Sequence, residues 1–277
     1  MNVYEIITEQ IVKRLKAGVI PWHRDWVSTS GAWNRMSGKN YSWLNTMLLG
    51  ENGEYASFKQ WKVAGGTIKK GAESRICVFF QPKGFKPVKT EDEIVLEPTQ
   101  FCLRYYHVFH INDVDGVEQK HHREADLPGV NNQTKEAPEK IVREYLEREK
   151  IPTVICDQPA YHPDLDYISM PELKQFNSVN AYYATMFHEM AHSTGSSNRL
   201  NREIKGRFGT KDYAREELVA EMASAFLMSI AGLGMETLDN SAAYINSWKQ
   251  KLRNDPYLIV NASAKAERAA KYITDPA

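Results

Sequence analysis

Apolar residues open the chain at helical spacing. Val3, Ile7, Ile11 and Leu15 fall on one face, and Gly18 followed by Pro21 ends the pattern. A loop-rich stretch leads to two short helical patterns at residues 43–49 and 57–63. A glycine-rich turn at 65–71 then feeds a strand at 74–80. A partner strand at 101–111 follows an acidic, hairpin-like insertion. Residues 112–138 lack apolar periodicity and collect Asp113, Asp115, Gly116, Pro128, Gly129, Asn131, Asn132 and Pro138, the composition of a connection between domains. Beyond it the pattern predicts an amphipathic helix at 137–150, a short strand at 153–156 and a strand at 166–171 that stops at Pro171. A further helix starts from an Asn177 or Ser178 cap and buries Met186, Phe187, Met190 and Ala191, with Gly195 placed as its left-handed terminus. Residues 213–227 repeat the helical signal through Leu218, Met222, Ala225 and Phe226. The pattern predicts an α+β chain of two domains, residues 1–125 and 126–277.

The strongest chemical signal lies in the capped helix, where His188, Glu189 and His192 form a His-Glu-x-x-His motif. Two histidines four apart stand one helical turn from each other, so both imidazoles reach one metal. Glu189 projects beside them toward water as a general base. That is the arrangement of a zinc peptidase, with Zn²⁺ as cofactor, and it requires a third protein ligand. The next helix offers Glu217 and Glu221, which share a face, while Glu216 lies about 100° around and reads as solvated. An acidic pair one turn apart after His-Glu-x-x-His resembles the gluzincin metallopeptidases. The resemblance implies that Glu217 binds the metal and that Glu221 holds a ligating histidine from outside. Tyr213 is a candidate for stabilising an oxyanion. In zincin-type peptidases an edge strand placed like 166–171 pairs with an extended peptide substrate.

Composition changes the picture in three places. The most apolar run, residues 222–235, contains two serines and two glycines and fits a buried helix rather than a membrane span. Glu5, Glu9, Lys13 and Arg14 interrupt any secretory core, and Cys77, Cys102 and Cys156 form no pairing pattern, so a cytoplasmic location is expected. The net charge of zero conceals a division: residues 1–90 carry 14 Lys/Arg against 6 Asp/Glu, a net of +8, and the remainder carries −8. Five of the six tryptophans also lie in the first 61 residues.

Aromatic faces stack on unpaired bases while cations track phosphates, so this basic, aromatic region is suited to single-stranded nucleic acid. The stacking candidates are Trp22, Trp26, Trp33, Tyr41 and Trp43, and the phosphate candidates Arg35, Lys39, Lys69 and Lys70. Composition alone fits equally a domain whose tryptophans build its core. His107 and His110, three apart on a strand, point to opposite faces and do not make a metal pair.

Specific motifs then bring in a family. Gly18-Val19-Ile20-Pro21-Trp22, Asn34 to Tyr41, Trp61 with Gly65-Gly66, Lys70 to Ser74, Tyr106 to Phe109, Ile168 to Pro171, His188 to Gly195 with Arg199-Leu200, and Tyr213 to Phe226 together resemble the ArdC-type antirestriction proteins of conjugative plasmids. The N-terminal region is also similar to that of TraC-type primases. His110 departs from the family pattern, where an asparagine is expected. The resemblance implies a single-stranded DNA-binding domain joined to a zincin-like metallopeptidase domain, and protection of incoming plasmid DNA from host restriction. Subunits of host restriction–modification enzymes are one candidate target of the peptidase; no membrane partner is expected, and the sequence leaves oligomeric state open. Two other readings stand beside this one: a regulatory peptidase whose N-domain recognises protein, and a DNA-binding module whose zinc is structural.

Overall fold

The computed structural model describes residues 1–23, 31–89, 94–120, 136–202, 210–234 and 242–275. The chain forms two compact units. The first comprises Met1–Ile7 and Gly31–His122, the second Thr8–Ser30 and Arg123–Ala277. Helix α1 (Val3–Lys16) is thus divided between them. This packing differs in one respect from a division at residue 125: Thr8–His23 lies with the C-terminal residues, and Thr8 Oγ1 donates to the Pro256 carbonyl at 3.0 Å. Among the described residues no helix is long and apolar enough to cross a membrane.

The first unit is built on a four-stranded sheet in the order β1 (Ala32–Asn34), β2 (Gly53–Ala56), β5 (Ile94–His110), β4 (Arg75–Lys89). Strands β1 and β2 are parallel, and the other pairs antiparallel. The β4–β5 ribbon runs well past the strands that apolar pattern alone predicts. Pro82 and Pro87 look like breakers in the sequence, but β4 is an edge strand and can lack donors on its outer side. Helix α2 (Trp43–Leu49) clamps that edge: Asn45 Nδ2 donates to the Val78 carbonyl at 2.9 Å, and Val78 N–H donates to Asn45 Oδ1 at 2.7 Å.

Helix α3 (Phe58–Val63) starts from a Ser57–Gln60 capping box and buries Trp61, whose Nε1 donates to the Phe109 carbonyl. Ile111 and Val114 pack on Trp61, and β6 (Val114–Asp115) pairs with β3 (Thr67–Ile68). The first part of the expected connection is therefore structured, because Ile111 and Val114 supply apolar surface that the Trp61 cluster buries. Residues 121–135 of that connection lie outside the described residues.

His110 is buried. Its Nε2 donates to the Asn52 carbonyl at 3.1 Å and its Nδ1 accepts from Asn112 N–H at 3.3 Å, a pattern that only the neutral Nε2–H tautomer satisfies. Burial lowers its pKa in keeping with that. Gly53 makes room for it, since a Cβ there would meet Nε2 at 2.3 Å.

In the second unit, helices α5 (Val179–Ser193), α6 (Lys211–Ile230) and α8 (Leu258–Thr274) pack together with α4 (Glu136–Glu149). A three-stranded sheet lies in the order β7 (Thr153–Ile155), β9 (Tyr167–Met170), β8 (Ala160–His162). The expected edge strand, β9, is the central one. Strand β8, which the sequence pattern did not reveal, occupies the edge beside α5. Ser178 caps α5 by accepting from Ala181 N–H. The helix ends through Thr194 and Gly195, which bond back to Met190 and His192, and Gly195 does not adopt the left-handed conformation expected of it.

Candidate metal centre

Helix α5 presents His188 and His192 on one face, and α6, packed across it, brings Glu217 to the same point. The two Nε2 atoms lie 3.0 Å apart, and Glu217 oxygens are 3.7 Å from His188 Nε2 and 3.5 Å from His192 Nε2. One ligand atom from each of the three lies within 4.8 Å of the others, a group able to hold a metal ion. Metal–ligand distances of about 2.0–2.1 Å in a tetrahedral site require ligand atoms about 3.4 Å apart, so the three donors fit one ion. All three side chains are only partly buried, at 23%, 13% and 24% exposure for His188, His192 and Glu217, which leaves an open side.

Electrostatics bind the cluster. Burial raises the Glu217 pKa, but hydrogen bonds from His188 and His192 outweigh it and hold the carboxylate well below its ordinary range. Burial likewise disfavours charge on His192, yet Glu216 and Glu217 together keep its pKa up at about 9.

Glu216 is where the expectation fails. It is buried rather than solvated, lies 3.5 Å from His192 Nδ1, and receives Arg202 through two bonds of 3.1 and 2.7 Å. Arg202 also reaches Thr194 Oγ1 and the Ala191 carbonyl, both at 2.7 Å. A charged, bidentate donor makes a buried carboxylate tolerable, and Glu216 can then fix the orientation of His192. No short-range pattern marks this pair: Arg202 sits 14 residues from Glu216 and only the packing of α5 on α6 joins them. Glu221, expected to hold a histidine from outside, accepts a hydrogen bond from Tyr244 OH in α7 (Ala242–Asn254). Burial raises its pKa, and the nearby His188 opposes the rise.

Glu189 is buried beside the two histidines, and its Oε2 accepts from the Tyr161 backbone N–H of β8 at 2.7 Å. Tyr161 OH in turn donates to Asp166, which forms a two-bond pair with Arg199 at 2.9 and 2.7 Å. Arg199 also donates to the Ser193 carbonyl at the end of α5 and to Glu149. Glu189 is thereby tied to β8, and β8 through one guanidinium to the end of α5. Tyr213 lies one turn before Glu217 on α6. Burial and the Glu217 carboxylate it bonds push its phenol up to about 12, so it stays a donor at neutral pH.

The candidates for nucleic-acid contact are dispersed. Trp22 belongs to the second unit, where it is buried with its ring edge-on to Trp248 at 6.1 Å. Trp33 is buried in the first unit. Arg35 is spent on a buried ion pair with Glu54, stacks over Trp61 at 5.0 Å and donates to the Glu118 carbonyl. Surfaces that face the core cannot stack on a base or meet a phosphate, so these three assignments are corrected. Tyr41 and Trp43 are half-buried, Tyr41 OH accepting from Asn34. Lys39, Lys69 and Lys70 are exposed, Lys69 with Asp115 at 3.7 Å. Trp26 lies outside the described residues.

Comparison with known proteins bears on both units. Residues 1–109 match the family model for the N-terminal domain of anti-restriction factor ArdC, and residues 142–265 match a zincin-like metallopeptidase family. The protein y4eC of Sinorhizobium fredii is 30% identical over 98% of this chain and 91% of its own length. Two DNA primases named TraC from Escherichia coli are also 30% identical over 98% of this chain, which spans 20% and 27% of their lengths. Crystal structures of the antirestriction ArdC protein from the R388 plasmid, metal-free and Mn(II)-bound, superpose with TM-scores of 0.71 and 0.73 at 28% identity, covering 99% of this chain and 97% of theirs. With an ArdC N-terminal domain, a zincin-like domain that frames His188, His192 and Glu217, and the ArdC fold along nearly its full length, this chain belongs to the ArdC-type antirestriction family.

Proposed function

We propose that the protein acts in the cytoplasm during plasmid transfer, binding single-stranded DNA through its first unit and holding a divalent metal, Zn²⁺, at His188, His192 and Glu217. The observation that carries the metal reading is the convergence of two imidazole nitrogens and one carboxylate on a single point. A divalent ion held there supplies Lewis acidity, which in zinc enzymes brings the pKa of a water to about 7. Glu189 accepts the proton of the attacking water, Tyr213 donates to the oxygen that gains charge on a peptide carbonyl, and Glu216 with Arg202 orients His192. The DNA reading is supported by the ArdC-type N-terminal domain, the primase relatives and the +8 charge of residues 1–90.

A second reading, a structural metal in a DNA-binding protein, draws on the bond that already engages Glu189 with Tyr161. Metal analysis and plasmid transfer into restricting recipients separate the two. His188→Ala, His192→Ala and Glu217→Ala are expected to lose the metal, and Glu189→Gln to keep it. Full protection by Glu189→Gln refutes a proteolytic role, including one against host restriction subunits; full metal retention by Glu217→Ala refutes the ligand set.

A further inference from the structure

With its tryptophans largely turned inward, the first unit carries its exposed rings elsewhere. Phe79, Phe80, Phe101 and Tyr105, at 44%, 53%, 59% and 41% exposure, all lie on the β4–β5 ribbon. The register decides how they are grouped. Val78 faces Tyr105, Phe80 faces Leu103 and Pro82 faces Phe101, so Phe80, Phe101 and Tyr105 project on one side around the buried Leu103. Tyr105 and Phe101 are four residues apart on β5, about 14 Å at ~3.4 Å per residue, with Phe80 on the neighbouring strand between them. Phe79 projects on the opposite side, across from Arg104. Residues 79–84 and 100–107 contain no Asp or Glu, and their exposed cations, Lys83 and Arg104, lie on the Phe79 side.

A cluster of exposed phenyl and phenol rings on an edge ribbon is not a solvated strand, since soluble monomers rarely leave contiguous apolar surface unused. Separate rings spaced along a ribbon segment free of acids, within the stretch that matches the ArdC N-terminal domain, match unpaired bases, whose π-faces stack whatever their identity.

We propose that this ribbon face is the stacking platform for single-stranded DNA, with Phe80, Phe101 and Tyr105 receiving bases. The assignment rests on the reading that the first unit binds single-stranded DNA, and it moves the contacts from the tryptophans to the ribbon.

The test is anisotropy of a fluorescent 15-nucleotide oligothymidylate, with a duplex of equal length for comparison, titrated with the full chain over a series of salt concentrations. Phe80→Ala/Phe101→Ala is expected to weaken binding about tenfold or more, with metal content and melting temperature unchanged because both side chains are exposed. Phe80→Tyr/Phe101→Tyr, which keeps the rings, should restore it. Wild type that binds while the double alanine variant binds within twofold of it overturns the ribbon assignment and leaves the DNA reading standing. Wild type that binds no single strand overturns both. Loss of self-association in sedimentation, with DNA binding intact, gives the face to a second copy of the chain and likewise overturns the proposal.

Discussion

Replacing Trp22 by alanine separates a core tryptophan from a base-stacking one. The indole is 3% exposed and meets Trp248, itself 2% exposed, edge-on with the ring planes at 87°. Trp248 then touches Tyr244, the donor to Glu221. Truncating a large buried aromatic costs about 3–5 kcal/mol, of which about 0.5–1.5 kcal/mol is specific to the aromatic pair. In a unit of this size each kcal/mol moves the melting temperature by roughly 2–4 °C, so a fall of about 10 °C is expected. Thermal melting followed by Trp fluorescence and circular dichroism measures it. Single-stranded DNA affinity, taken at a temperature where the variant is fully folded, should stay within twofold of wild type. Trp248→Ala should behave alike, and the double variant should cost less than the sum of the two by about 1 kcal/mol. An unchanged melt together with DNA binding weakened fivefold or more would refute the placement of Trp22 in the core.

Glu216→Gln should reduce metal affinity about 10- to 100-fold in competition with a chelator, as loss of an outer partner does for ligating histidines, whereas equal affinity would remove Glu216 from the metal's support. In metal-free protein His192, with a pKa of about 9, carries a proton that a metal must displace. Affinity should therefore climb about tenfold per pH unit below 9; a flat profile between pH 6.5 and 8.5 counts against this. The same raised pKa adds stability to the metal-free protein that is complete below the unfolded value of about 6.5 and lost as the pH rises through about 9, so its melting temperature should fall across that window. Finally, residues 126–277 expressed alone lack Thr8–His23 and should melt lower and bind a hydrophobic dye through the uncovered Trp248 surface. Wild-type melting of that fragment would show the N-terminal segment to be dispensable.

His188, Glu189 and His192 were legible in the sequence because a helix places residues four apart on one face by local geometry alone, whatever surrounds it. Glu217 was singled out by the gluzincin resemblance, whereas helices α1 to α6 were legible because apolar periodicity is a local property. What lies between elements was not legible. Glu216 reads as a solvated acid until Arg202, from another part of the chain, neutralises it against His192. Trp22 reads as a ligand-facing ring until Trp248, 226 residues later, covers it. Strand β8 leaves only a three-residue trace, and it takes the edge from β9 because pairing is settled by neighbours in space. Composition reported correctly that the first 90 residues are basic and rich in tryptophan. Only the tertiary structure decided which rings face inward, since burial depends on contacts between residues far apart in the chain, and no local pattern encodes those contacts.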